Sequence, residues 1–235
     1  RGELVHGTRG NLSDVTGTTA ITSINSKGVG SLITLQFDGA LTLTHHATDL
    51  ILPGGANIAT YAGYTAMFYE YASGDWRFVA DNRAPYLTDP YTTTGGTSFE
   101  FTALPPWARR VSVMVAQMSG SSSFSVDTVL GTASGYETSS YVSYAQSSVA
   151  GLVSNTNSIP ICLAGLAGYN YRGALTLLLQ STSNTWVWDG GFQAGTGDVE
   201  HHHGAKTLAD TLTKIKFTIT FGTFDAMNVS LRIEP

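Results

Sequence analysis

Apolar and polar residues alternate along much of the chain, which is the pattern of a β-strand with one buried and one solvated face. The alternation is clearest near the C-terminus, in KIKFTITF (214–221) and AMNVSLRIEP (226–235). In the first of these segments the inward-facing series runs from Ile215 to Phe221. The intervening GTFD is typical of a turn, so the two segments are predicted to form an antiparallel hairpin.

The same pattern predicts strands throughout the chain and very little helix. Leu and Thr alternate in the strand before the turn PGGAN (53–57), and TAMFYEYASGDWRFVA (65–80) is predicted to be a hairpin that turns at Ser73 and Gly74. The strand candidates of the second half are 98–103, 109–118, 124–130, 138–145, 159–163, 174–180, 185–192, 214–221 and 226–234.

Residues 84–97 separate two regions, because this stretch contains two Pro, two Gly and five Thr without periodicity. We therefore predict an all-β protein with a small N-terminal β module at 1–83, a linker at 84–97, and a C-terminal domain at 98–235. Many short strands with polar turns predict an antiparallel, jelly-roll-like β-sandwich for that domain. The N-terminal module has few large side chains, so it is expected to need the face of an identical copy for stability. Twofold assemblies are the commonest, and nothing in the pattern itself selects another symmetry.

The composition of the chain excludes several classes of function. Charged residues make up 12% of the chain, about half of the roughly 25% typical of globular domains. A net charge of −5 argues against a nucleic-acid partner, which clustered Lys and Arg would bind. The single cysteine, Cys162, excludes an intrachain disulfide. No apolar run reaches the roughly 20 residues that membrane insertion requires. The chain starts without Met, so a further N-terminal region is expected to be missing.

Motifs for catalysis are missing from the sequence. Glycan cleavage needs two carboxyl groups at a defined separation. Asp127, Glu137, Asp189 and Glu200 are conceivable members of such a pair, but nothing in the sequence pairs them. There is also no nucleophile elbow and no phosphate-binding glycine loop. We therefore expect a protein that is not an enzyme and that uses no cofactor.

The segment VEHHHG (199–204) allows two interpretations. In a strand, His201 and His203 would share one face and could bind a metal ion on a symmetry axis. In a loop they would be solvated polar residues, and this second interpretation is the favoured one.

Aromatic residues beside Asn, Ser and Asp are the best candidates for binding a receptor, because they combine apolar stacking faces with hydrogen-bonding groups. Each one taken singly is more often a core residue, but as a group on loops they predict a binding surface. The candidate receptor-binding residues are Trp186, Trp188, Asp189, Tyr136, Tyr141, Tyr144, Tyr169 and Tyr171.

Several segments resemble tail fibres and related receptor-binding proteins of tailed bacteriophages. The segment 39–80 has the Leu-Thr-His strand, the Leu-Pro-Gly-Gly-Ala-Asn turn and the aromatic strand ending in Gly-Asp-Trp of these proteins, in the same order. RGELVHGTRGNLSDV (1–15) resembles the element that precedes such segments. Residues 107–120, 174–191 and 206–235 are similar to the C-terminal β-sandwich of the same fibres, and 131–172 is the least similar part.

This resemblance implies a homotrimer at the distal end of a tail fibre on the virion. Such a protein attaches the phage to a host bacterium through a cell-surface polysaccharide or an outer-membrane protein. It is joined to other tail or baseplate proteins through the missing N-terminal region. The resemblance carries over no catalytic residue. The histidines at 201–203 and the Tyr-rich segment 136–144 depart from the family pattern, so receptor preference is expected to lie there.

Two other functions stay open. A purely structural virion protein, such as a head fibre, a decoration protein or a fibre shaft, would bury the aromatics at subunit contacts. A polysaccharide-cleaving tailspike domain would depend on a carboxylate such as Asp189 or Glu200. Exposed aromatics would favour adhesion, and occluded ones would favour the structural protein.

Overall fold

The computed structural model describes residues 3–4, 11–148, 151–180, 183–194 and 197–235. The predicted all-β fold class is confirmed, because the regular elements of these residues are strands apart from one short 3-10 turn at Pro53–Gly55. None of the helical structure in this part of the chain is long and apolar enough to cross a membrane. The chain divides into two compact units, Arg1–Ala84 and Pro85–Pro235.

The N-terminal unit is built around a five-stranded sheet. Its strands are β1 (Glu3–Leu4), β2 (Leu12–Val15), β3 (Ser23–Ile24), β4 (Leu32–Phe37), β5 (Thr42–Leu43), β6 (Leu50–Ile51), β7 (Ile58–Ala59), β8 (Tyr64–Ala72) and β9 (Asp75–Asp81). The sheet order is β2-β4-β8-β9-β6, and β1-β3 and β5-β7 form separate pairs. The predicted hairpin at 65–80 is β8 and β9, which turn at Ser73 and Gly74.

This unit has a hydrophobic core of its own, although the sequence predicted few large side chains to build one. Alternation in β4 and β8 buries every second side chain on one face, where Phe37 and Phe68 are fully buried. Trp76 is also fully buried, and its Nε1 donates a hydrogen bond to the backbone oxygen of Ile24 at 3.0 Å. The prediction was based on the number of large residues in the module and did not consider which of them alternation buries.

The C-terminal unit contains two antiparallel sheets. Its strands are β10 (Tyr86–Leu87), β11 (Tyr91–Thr93), β12 (Ser98–Phe101), β13 (Arg110–Gly120), β14 (Phe124–Thr132), β15 (Gly135–Tyr136), β16 (Val142–Ser147), β17 (Gly151–Asn155), β18 (Ile159–Gly165), β19 (Tyr171–Leu179), β20 (Thr185–Ala194), β21 (Val199–Thr207), β22 (Lys214–Thr220) and β23 (Phe224–Glu234). The large sheet has the order β10-β23-β13-β19-β20-β21-β16-β17, and β11 also pairs with β23. The small sheet has the order β12-β22-β14-β15, and β18 also pairs with β14.

The predicted C-terminal hairpin does not form. β22 pairs with β12 and β14 in the small sheet, whereas β23 pairs with β13 in the large sheet. Both strands have an apolar face, and these faces contribute to one core between the sheets, where Phe217 and Val229 are fully buried. Phe221 was predicted to face inward, but β22 ends before it. Its φ of 69° places the side chain in the turn, where it is 74% exposed.

The predicted linker at 84–97 is part of the large sheet. β10 and β11 lie within it, and both pair with β23. The Tyr91 ring stacks on the Phe99 ring with centroids 4.6 Å apart. Strands of two or three residues are too short to show periodicity, although Tyr and Thr favour strands.

Candidate binding surface on the outer face of the large sheet

Four of the predicted receptor-binding residues lie in the core of the C-terminal unit and cannot contact a receptor. Trp186, Trp188, Tyr141 and Tyr171 are between 1% and 3% exposed. For these four residues the prediction was wrong. They are occluded within a single copy of the chain, so they also give no sign of a subunit contact.

The two tryptophans share a face of β20, as the sequence predicted, but it is the inner face. Trp188 pairs across the sheet with Gly204, and a Cβ atom on that glycine would lie 2.5 Å from the Trp188 ring. The glycine therefore provides the space into which the indole packs. Because side chains alternate along a strand, Asp189 must point to the outer face, where it is exposed.

Tyr141 is a structural residue of the core. Its hydroxyl accepts a hydrogen bond from the Leu130 N–H at 2.8 Å and donates one to the Glu137 carbonyl at 2.9 Å. Burial raises the pKa of this phenol to about 12. Tyr171 packs edge-on against Phe124 with ring centroids 5.6 Å apart, and burial raises its pKa as well.

The other two predicted tyrosines, Tyr136 and Tyr169, do not belong to the strands of the large sheet. Tyr136 belongs to the small sheet, where its hydroxyl donates to Glu100 and the amino groups of Lys214 and Lys216 lie 5.5 and 5.7 Å from its ring centroid. Burial raises the pKa of Tyr136, and the contact with Glu100 raises it further. Tyr169 is 41% exposed in the loop between β18 and β19.

The histidine segment is a strand, so the favoured loop interpretation was wrong. In β21, His201 and His203 face outward and are exposed, whereas Glu200 and His202 face inward and are fully buried. The two inward side chains lie close together, with 3.4 Å between Glu200 Oε2 and His202 Nε2. Glu200 also accepts the Leu163 N–H at 3.1 Å. Burial of polar rather than apolar residues hid this strand from the hydrophobic pattern.

Three residues named from the sequence come together on the outer face. Tyr144 of β16 is directly opposite His203 of β21, and His203 is opposite Asp189 of β20. The Tyr144 and His203 rings are stacked, with centroids 5.5 Å apart and planes 21° from parallel. Tyr144 remains 38% exposed.

The next row of the sheet extends this surface. His201 lies between Gln146 of β16 and Gly191 of β20, and both His201 and Gln146 are exposed. Gly191 has no side chain, which leaves a shallow depression beside His201. We call Tyr144, Gln146, Asp189, His201 and His203 the outer-face platform.

The outer-face platform combines the two kinds of group that bind an uncharged polar ligand. The stacked rings give a flat apolar surface, and the surrounding amide, imidazole and carboxylate groups can accept or donate hydrogen bonds. It is open rather than concave. The described residues contain no group of three or more His, Cys, Asp or Glu side chains placed to hold a metal ion. His201 and His203 belong to the platform because they lie on the outer face beside Gln146 and Tyr144.

The four carboxylates considered for glycan cleavage have different environments. Glu200 is fully buried, and Glu137 is paired with Lys206, with 2.6 Å between Oε2 and Nζ. Asp127 is half-buried, and burial raises its pKa. Asp189 is the exposed member of the set. Their surroundings do not assemble an acid and a nucleophile at one open site.

Comparison of the chain with known protein families finds no matching family, and comparison with curated proteins finds no match either.

Proposed function

We propose that this chain is a non-enzymatic adhesion protein, the distal part of a bacteriophage tail fibre that attaches the virion to a polysaccharide of the host surface. The sequence resemblance supports the virion assignment and the assembly into a homotrimer. The outer-face platform supports the adhesive role and favours polysaccharide over an outer-membrane protein.

The observation that carries this proposal is the exposed stack of Tyr144 on His203 with Asp189 and Gln146 beside it. A sugar ring can place its apolar face on an aromatic ring while its hydroxyl groups bind neighbouring polar side chains. The stack fixes the tyrosine ring before a ligand arrives, which lowers the entropy lost on binding.

A structural virion protein remains a second candidate, because the N-terminal unit exposes apolar residues on one face of its sheet. Leu12, Leu32, Met67 and Tyr69 are 37 to 61% exposed there. Such a face is suited to contact between identical copies. A trimeric fibre would use it whether or not the C-terminal unit binds a receptor.

Cleavage of the polysaccharide is not part of the proposal. The cross-strand neighbours of Asp189 are Thr176 and His203, and neither supplies a second carboxyl group. Release of reducing sugar from a bound host polysaccharide, lost in Asp189→Asn, would move the assignment to a tailspike enzyme.

The proposal is tested by binding the whole chain to intact bacteria of diverse surface types and to an array of their purified polysaccharides. Tyr144→Ala should weaken binding by about 30-fold, equivalent to about 2 kcal/mol for a central aromatic contact. Tyr86→Ala is the matched control, because Tyr86 is 41% exposed and lies in β10, at the far end of the large sheet from β16. Binding that survives Tyr144→Ala unchanged, or no binding to any bacterial surface, would refute the adhesive role of the platform.

A further inference from the structure

A second polar depression opens on the outer face of the large sheet. It has a volume of about 410 Å³ and lies where β11, β23 and β13 meet. The residues that line it are Thr92, Thr93, Thr94, Gln117, Ala226, Met227 and Asn228. None of them was singled out from the sequence. We call this depression the threonine cleft.

A break in the strand register builds the threonine cleft. The pairing of β13 with β23 shifts between Val115 and Gln117, and the shift brings Gln117 opposite Asn228. Such a bulge turns a side chain into a new direction and is a common feature beside binding sites. Gln117 Nε2 donates to Asn170 Oδ1 at 2.9 Å, which fixes the amide and leaves its oxygen as an acceptor.

The chemistry of the cleft selects an uncharged, hydroxyl-rich ligand. Its polar side chains are hydroxyls and amides, and the described residues that line it include no charged group. Hydroxyls and amides both donate and accept hydrogen bonds, as sugar hydroxyls do. The residues that line the cleft offer an acidic chain no cation, and Asp189 would repel it at the platform; Arg172 of β19 is an exposed cation on the same face, outside the cleft.

The threonine cleft and the outer-face platform lie on one continuous surface. Asn228 lies on the same face of β23 as Ser230, whose row continues through Met114, Ala174 and Gly191 to His201, and the bulge places Gln117 opposite Asn228. Only β19 separates β13 from β20, so the nearest strands of the two sites are about 10 Å apart, and the sites are also offset along the strands. The row that leads from β13 to β20 contains Met114, Ala174 and Gly191, and the last two are small.

We propose that the threonine cleft is a second subsite of the adhesion surface, and that the ligand is an uncharged polysaccharide lying across the strands from the platform to the cleft. This inference rests on the proposed function, since it specifies the chemical class and the direction of the chain that the platform binds. Each subsite is shallow, and a chain that contacts both gains affinity with length until it spans them.

The test uses immobilised bacterial polysaccharides with either uncharged or uronic-acid-containing repeating units, and then size fractions of one that binds. Asn228→Trp fills the cleft, and Thr218→Trp on the exposed face of the small sheet is the matched control. We expect uncharged polysaccharides to bind. In Asn228→Trp, long fragments should lose about tenfold in affinity and short fragments should be unaffected. Tyr144→Ala should weaken both sizes.

Gln117→Ala, which adds no bulk, repeats the test if Asn228→Trp alters the thermal stability. Long fragments that bind both cleft variants as tightly as the wild type would overturn the second subsite, while loss in Tyr144→Ala would leave the platform in place. Binding restricted to acidic polysaccharides would overturn the chemical class but not adhesion. No binding to any polysaccharide would overturn the proposed function and this inference together.

Discussion

Acid stability of the N-terminal unit is expected to depend on the buried carboxylate of Glu70. This residue is 0% exposed in β8. Its carboxylate accepts the N–H groups of Lys27 at 2.8 Å and Gly74 at 2.9 Å, together with the hydroxyl of Ser26. One side chain thus ties the loop after β3 to the turn between β8 and β9.

These bonds determine how the contribution of Glu70 varies with pH. Burial alone would raise the pKa of Glu70, but the hydrogen bonds from Gly74, Ser26 and Lys27 outweigh it and hold the pKa below its ordinary value of 4.5. Because the pKa is lower in the folded state than in the unfolded chain, ionised Glu70 stabilises the fold at neutral pH. That contribution is lost as the pH falls below 4.5 towards the folded-state pKa.

The substitution Glu70→Gln is expected to lower the folding stability of the N-terminal unit by an amount that the lost hydrogen bonds determine. The amide keeps one acceptor oxygen but turns an NH2 group towards the donors that faced the second oxygen. One unsatisfied buried donor costs about 1–3 kcal/mol, so we expect a loss of about 2 kcal/mol at neutral pH. For a unit of this size that loss lowers Tm by about 8–16 °C.

Hydrogen exchange of peptides from β8 and β9, carried out on the whole chain, measures the stability of the N-terminal unit separately from that of the C-terminal unit. Protection should fall in Glu70→Gln at about pH 7, and the gap from the wild type should narrow by about pH 3.5 as the carboxylate is protonated. Asp38→Asn, which changes an exposed carboxylate of the same unit, should have no effect. A gap of equal size at both pH values, or no gap at neutral pH, would refute the reasoning.

Two further substitutions test the packing and the turn of the C-terminal unit. Gly204→Ala places a Cβ 2.2 Å from the Val142 oxygen and 2.5 Å from the Trp188 ring, so it should cost about 3 kcal/mol in chemical denaturation. Gly191→Ala, whose nearest contact is 3.3 Å, should cost less than about 1 kcal/mol; equal costs would contradict the packing argument. Phe221→Asn should stabilise by about 1 kcal/mol, because Asn tolerates positive φ and the ring is exposed; a lower Tm would show that the ring has a stabilising contact.

Strands with large apolar side chains at alternate positions could be predicted from the sequence, but their pairing could not. The β8–β9 hairpin was found because a turn signal separates two strongly periodic segments. β22 and β23 show the same local signal, yet each joins a different sheet. The signal does not specify the pairing, since two one-sided strands can lie side by side or face each other across a core.

The candidate site was partly predictable for a related reason. Alternation shows that Trp186 and Trp188 share a face, but which face is inner depends on the residue across the sheet. That residue is Gly204 for Trp188, and it is identifiable only once β21 is recognised as a strand. β21 was missed because Glu200 and His202 occupy its buried positions, where the hydrophobic pattern of a strand requires apolar residues.

The private core of the N-terminal unit changes what assembly contributes to function. If that unit had needed a partner to cover its core, dilution would unfold the chain. With Phe68 and Trp76 buried within one copy, dilution should instead separate folded subunits held by exposed residues such as Leu12 and Met67. In the proposed adhesive homotrimer each shallow platform would bind weakly, and three together would multiply avidity by about 10² to 10⁴. Dilution followed by analytical ultracentrifugation and circular dichroism should therefore show loss of the proposed trimer and of cell binding with the β-sheet spectrum intact, whereas concerted loss of the spectrum would show that folding and assembly are one step.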